Sequence, residues 1–236
     1  MANALYMEDT YLKEFEAMVT KADSKFIGLD RTAFYPNSGG QPNDTGTLTR
    51  VSDGKEFKVV SVVKMSGDIS HEISEPGLEV GDRVAGRIDW DRRYVLMRNH
   101  TAAHVLSGVI SKETGADITG NQLGLDKSRI DFSLENFDRE QLKSYEEKAN
   151  AIVNAAMPVN IRILPREEAF KIPALVKLRM GLPESIREIR IIDIVGFDQQ
   201  ACAGCHVKNT SEIGKITIAN SENKGKDNRR IYFVIG

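Results

Sequence analysis

The chain is poor in the residues that staple small proteins together. It has two cysteines in 236 residues, both in one Cys-x-x-Cys stretch, so no disulfide framework is available. That usage is expected of a reducing, cytoplasmic compartment. No run of about 18 apolar residues occurs, which excludes a membrane-spanning helix. The opening segment, Met1-Ala-Asn-Ala-Leu-Tyr-Met-Glu-Asp9, lacks a basic stretch followed by an apolar one, so no secretory signal is expected. Charge of one sign is also missing. The net charge of −2 gives no global basic field, and any nucleic-acid contact must come from local patches. What remains is a chain with 41% apolar and 28% charged residues, long enough to bury a core unaided.

Histidine is scarce too, with four in all, yet three of them lie with both cysteines in two clusters. The first is His100-Thr-Ala-Ala-His104. Histidines four apart on a helix project from one face, so both imidazoles can reach one metal ion. The second is Cys202-Ala-Gly-Cys-His206. Together they offer nitrogens and a thiolate, the ligand set of tetrahedral Zn²⁺. Cys202 with His206 would complete a His₃Cys site, and Cys202 with Cys205 a His₂Cys₂ site. Thr-Ala-Ala between the histidines lacks the glutamate of His-Glu-x-x-His, which removes the metalloprotease reading. The fourth histidine, His71, reads as a surface or turn residue.

The pattern predicts an α+β chain: a small N-terminal β-barrel over residues 1–89, then a two-layer, helix-on-antiparallel-sheet domain over 90–236. Residues 15–20, 26–34, 45–51, 57–64 and 84–88 alternate or carry β-branched side chains, and Asp53-Gly54 marks a hairpin. Strands this short and evenly spaced suggest a barrel. The period then changes. Val95, Leu96, Val105, Leu106, Val109 and Ile110 recur at helical spacing over 91–114, with Asp89 or Asp91 as cap and Gly115 as stop. A second helix is predicted over 139–156, opened by an Asp138/Gln141 capping box and closed by Pro158. Strands follow at 159–164, 188–195, 215–218 and 230–235. Residues 165–183 read as basic and partly helical, and 220–230 as a polar loop.

Phe34-Tyr-Pro-Asn-Ser-Gly-Gly-Gln-Pro-Asn-Asp-Thr-Gly46 is the other unusual stretch. Gly39-Gly40 permits backbone conformations closed to other residues, and flanking prolines stiffen it. No Gly-Lys-Ser/Thr follows, so it is not a P-loop.

Taken together, Arg98-Asn-His-Thr-Ala-Ala-His104, Arg129-Ile-Asp-Phe-Ser133, Cys202-Ala-Gly-Cys-His-Val-Lys-Asn-Thr210 with the Ser-Glu-Ile-Gly that follows, and Arg229-Arg-Ile231 resemble the editing domain of alanyl-tRNA synthetase. Phe34 to Gly46 resembles the glycine motif of the barrel that precedes it. The resemblance covers nearly the whole chain without any aminoacylation module. It points to the free-standing AlaX editing proteins in their medium-length form, found mainly in archaea. It implies a hydrolase that removes serine or glycine wrongly attached to alanine tRNA, a monomer or weak dimer, and zinc held by His100, His104, Cys202 and His206. The family pattern is Cys-x-x-Thr-His, and this chain has Cys205 in place of the threonine.

The chemistry is coherent. A pocket for alanine discriminates poorly against glycine and serine, roughly 10- to 200-fold, so a second site must hydrolyse the errors. A pocket built to hydrogen-bond the seryl hydroxyl disfavours the alanyl ester, which would leave its polar groups unpaired. Thr119, Asn121 and Gln122, on the loop expected after the metal helix, are candidates to line that pocket. Gly39 and Gly40 are candidates to contact the tRNA end. Asp131 is a candidate carboxylate for the reaction, or a structural partner of Arg129. Arg92, Arg93 and Arg98, then Arg166, Lys171, Lys177 and Arg179, then Lys224, Lys226, Arg229 and Arg230 are candidate phosphate contacts. A non-catalytic tRNA-binding module with structural zinc, or a zinc hydrolase of small amino-acid esters, are the competing readings. Deacylation assays separate all three.

Overall fold

Period-two alternation builds the first part of the chain, as expected. The computed structural model describes residues 2–65, 67–173, 175 and 183–236. Its first strands are β1 (Asn3–Ala4), β2 (Glu14–Asp23), β3 (Phe26–Leu29), β4 (Arg31–Thr32), β5 (Gly46–Arg50), β6 (Glu56–Met65), β7 (Asp68–Ile73) and β8 (Arg83–Ile88). Six of them close into a barrel in the order β2-β3-β7-β6-β5-β8, which leaves no sheet edge. Val19, Ile27, Leu48, Phe57, Val62, Ile73 and Val84 are buried at alternate positions along these strands.

His71 is not a surface residue. It lies in β7 on the face shared with Ile69 and Ile73, and it is fully buried. Its Nδ1 is 3.0 Å from the Ile27 carbonyl and its Nε2 is 2.8 Å from Thr32 Oγ1. Burial depresses its pKa to about 4, so the ring is neutral. Nδ1–H therefore donates to Ile27, and Nε2 accepts from the threonine hydroxyl.

The helix α1 (Trp90–Thr114), which carries His100 and His104, follows. Of the two possible caps, Asp89 serves: its Oδ1 accepts from the Arg92 amide at 3.3 Å. Every residue from Asn99 to Ile110 is buried. Gly115, at φ +73°, ends the helix. The chain forms two compact units, Met1–Met97 and Arg98–Gly236, and the division falls inside α1.

The second unit contains β9 (Ile118–Gln122), β10 (Ser128–Phe132), α2 (Arg139–Asn154), β11 (Val159–Pro165), the single turn α3 (Arg166–Ala169), β12 (Glu188–Ile194), β13 (Asp198–Ala201), β14 (Ile216–Asn223) and β15 (Arg229–Ile235). The strands pair antiparallel in two sheets, β14-β15-β10-β9 and β11-β12-β13. The Asp138/Gln141 capping box opens α2, which buries Tyr145, Ala149 and Val153. Ile130, Phe132, Ile231 and Phe233 bury one face of the four-stranded sheet. The α+β class is as expected, but details differ: β7 and β13 are strands that the sequence pattern did not mark. Residues 118–122 form a strand, not a loop, because pairing with β10 overrides the weak strand preference of Thr-Gly-Asn-Gln. The polar loop expected over 220–230 shortens to 224–228, since β14 runs on to Asn223. Lys177 and Arg179 lie outside the described residues.

Candidate metal centre

The helix spacing delivers the two imidazoles to one face. The His100 and His104 rings lie 5.2 Å apart between centroids. The turn after β13 brings His206 to 4.2 Å from His100 and 4.5 Å from His104. Cys202 Sγ is 3.5 Å from His100 Nε2 and 3.4 Å from His206 Nε2. All four ligand atoms lie within 4.8 Å of one another. Metal–ligand bonds of about 2.0–2.1 Å to nitrogen and 2.3 Å to sulfur, at tetrahedral angles, put nitrogen and sulfur about 3.6 Å apart. The residues present therefore fit Zn²⁺. Cys205, fully buried, is not among the four grouped ligands.

The electrostatics keep the three imidazoles neutral. Burial first, then the neighbouring imidazoles and Arg190, hold the pKa of His100 and His206 well below the usual range. Burial and Arg190 bring His104 down to about 3. Neutral imidazoles are the ligating form. Burial pushes the Cys202 thiol up, opposed by the Gly204 amide and by Arg190.

Two supporting residues escaped the sequence reading. Thr101 Oγ1 is 3.2 Å from His206 Nδ1 and accepts from the Val207 amide. A metal-facing Nε2 needs the proton on Nδ1, and this hydroxyl is placed to accept it. Arg190, on β12 and almost fully buried, donates from one guanidinium nitrogen to the carbonyls of Cys202 and Gly204, at 2.7 and 2.8 Å. It clamps the turn that carries the ligands. A charged residue inside the apolar run Ile189 to Ile194 was the available signal, because a buried cation must find acceptors.

The pocket candidates separate. Asn121 pairs with Ile130, and the next same-face residue on β10, Ser128, donates to Asn99 Oδ1 on α1 at 3.1 Å. Asn121 thus lies on the sheet face turned to the helix beside His100, and its buried Oδ1 has no hydrogen-bond partner among the described residues. Gln122 lies on the opposite face and accepts from Arg129 Nε at 3.2 Å. Thr119 is exposed, 3.4 Å from Asn228 Oδ1. Asp131 takes Arg230 on both oxygens, at 2.7 and 2.9 Å, and Arg129 at 2.8 Å. Arg230, then Arg129, hold its pKa below the usual carboxylate range.

In the barrel unit, Gly39 and Gly40 form a tight turn between the bridged residues Ser38 and Gln41, with φ of +58° and +82°. Gly39 is exposed. Asp44, fully buried, anchors this segment: it accepts from the Tyr35 amide at 2.6 Å and pairs with Arg93. Arg93 also donates to the carbonyls of Thr10 and Ala33. Arg93 is thus a buried structural cation, not a phosphate contact.

Residues 3–92 match the family described as class II (A) tRNA synthetases, and residues 189–232 match the threonyl and alanyl tRNA synthetase second additional domain. The alanyl-tRNA editing protein AlaX-M of Methanosarcina acetivorans is 55% identical over 243 residues, covering 100% of this chain and 99% of that protein. This chain belongs to the AlaX-M family of alanyl-tRNA editing proteins. The AlaX-M protein of Saccharolobus solfataricus is 43% identical over 237 residues, again covering 100% and 99%. The alanine–tRNA ligase of Pyrococcus abyssi is 41% identical over 236 residues, which is 98% of this chain but 26% of that protein. An AlaX-M chain thus matches about one quarter of that ligase. No helix among the described residues is long and apolar enough to cross a membrane.

Proposed function

We propose that this AlaX-M protein is a trans-editing deacylase that hydrolyses the ester of serine, and of glycine, wrongly attached to alanine tRNA. It works in the cytoplasm as a monomer or weak dimer. Residues 1–89 serve as a barrel module, with Gly39 and Gly40 contacting the acceptor end, and residues 90–236 as the editing domain. His100, His104, Cys202 and His206 hold zinc. When bound, the metal supplies a Lewis acid that orients and polarises the aminoacyl group. Four protein ligands favour that orienting role over activation of water.

The single observation that carries the substrate reading is the buried, unpartnered Oδ1 of Asn121 on the face toward the metal helix. It accepts from the seryl hydroxyl. Alanine has no hydroxyl to offer, so its ester leaves that acceptor unpaired and is disfavoured. Thr119 lies on the same strand and is exposed. Asp131, ionised and held by two arginines, fixes those arginines instead of moving a proton. Asn121→Ala should lower kcat/KM for seryl-tRNA about 10-fold or more and change glycyl-tRNA little. Thr119→Val should have a smaller effect. Equal loss on both esters in Asn121→Ala would refute the hydroxyl contact.

A further inference from the structure

The outer face of the four-stranded sheet gathers cations, whereas Arg98, Arg166 and Arg190 of this unit are committed to backbone carbonyls. Arg98 donates to the carbonyls of Glu212, Ile213 and Gly236. Arg166 donates to those of Pro183 and Ile186, and Arg190 to those of Cys202 and Gly204. On the sheet, strand register sets Gln122, Arg129 and Tyr232 in one row and Gly120, Asp131 and Arg230 in the next. Tyr232 is half-buried. Lys127 Nζ lies 4.8 Å from its ring centre and Arg230 Cζ lies 5.9 Å away. Lys127 is exposed. Lys224 lies at the rim, 3.0 Å from Glu222, so four cations face two carboxylates, Asp131 and Glu222. The reverse of the same strands is apolar core, so the face is rigid.

A rigid antiparallel sheet with an aromatic ring among cations suits unpaired RNA. Every base has a stacking face, and the cations meet the phosphates. We propose that this face binds the tRNA, with an unpaired base stacked on Tyr232 and the adjoining phosphates on Lys127 and Arg129. The base takes the place Lys127 holds over the ring, and the ammonium passes to the neighbouring phosphate. Asp131 keeps the guanidinium groups of Arg129 and Arg230 in place. This surface rests on tRNA being the partner, as proposed above, and adds where the RNA lies.

The test is binding of labelled alanine tRNA, by fluorescence anisotropy over a range of salt, to the intact protein and three variants. Tyr232→Ala should weaken binding about 10-fold, and Tyr232→Phe, which keeps the ring, should stay within about twofold. Lys127→Gln should flatten the slope of log Kd against log salt by about 1. Lys127 is exposed, so that variant remains decisive should Tyr232→Ala fail to fold. Wild-type protein that binds tRNA, with an unmoved slope in Lys127→Gln and unmoved affinity in any folded Tyr232→Ala, would overturn the surface alone. Wild-type protein that binds no tRNA would overturn both the surface and the tRNA reading beneath it. An acidic peptide that competes for the face while tRNA does not would assign it to another partner.

Discussion

Thr101 Oγ1 lies 3.2 Å from His206 Nδ1, across 105 residues of sequence. The residue next to His100 on α1 is thereby placed to orient the His206 imidazole of the distant turn. Both ligand clusters are tied together by a hydrogen bond that touches no metal, and Arg190 ties the same turn to β12 from the other side.

Thr101→Val keeps the shape of this side chain and removes the acceptor. Zinc affinity should fall about 10- to 100-fold, read by competition with a chromophoric chelator. Far-ultraviolet circular dichroism should be unchanged. An unaltered affinity would show that the hydroxyl does not orient His206.

The Arg93–Asp44 pair is fully buried, and Asp44 also receives the Tyr35 amide. Removing one member strands a charge or a set of donors in the barrel interior. Arg93→Met should cost about 3–5 kcal/mol in urea unfolding. A loss below 1 kcal/mol would mean the glycine-rich segment is held by other contacts.

His71 makes the barrel acid-sensitive. Its folded pKa is about 4, against an ordinary value of 6.5. Above both values neither state binds the proton, and the full stability is present. As pH falls below the ordinary value, the unfolded chain takes up a proton that the folded one refuses. Stability is then lost until the folded ring also protonates. The loss is about 3 kcal/mol in all. Melting temperature measured at intervals between neutral pH and about pH 4 should fall less steeply in His71→Gln than in the wild type. Parallel curves would contradict the assignment.

The meeting of His100 and His104 was legible because helix periodicity puts them on one face whatever the fold around them. The barrel and both capping signals were legible for the same local reason. What was not legible depended on partners far along the chain. Thr119 to Gln122 has loop composition and becomes a strand only when β10 pairs with it. His71 shares the inward phase of Ile69 and Ile73, but without the strand recognised that phase could not be read. Arg93 looks like any basic residue on a helix until the buried Asp44 is beside it. Thr101 and Arg190 act through other residues, and such roles have no local spacing.

The central claim is that the His₃Cys cluster and Asn121 serve removal of the wrong amino acid from alanine tRNA. Initial rates of deacylation of seryl-, glycyl- and alanyl-tRNA for alanine, with zinc-loaded and chelator-stripped protein, test it most directly. The account predicts hydrolysis of the seryl and glycyl esters, sparing of the alanyl ester, and loss of activity on metal removal that zinc restores. No hydrolysis of seryl-tRNA by the zinc-loaded protein, or equal hydrolysis of the alanyl ester, would contradict it.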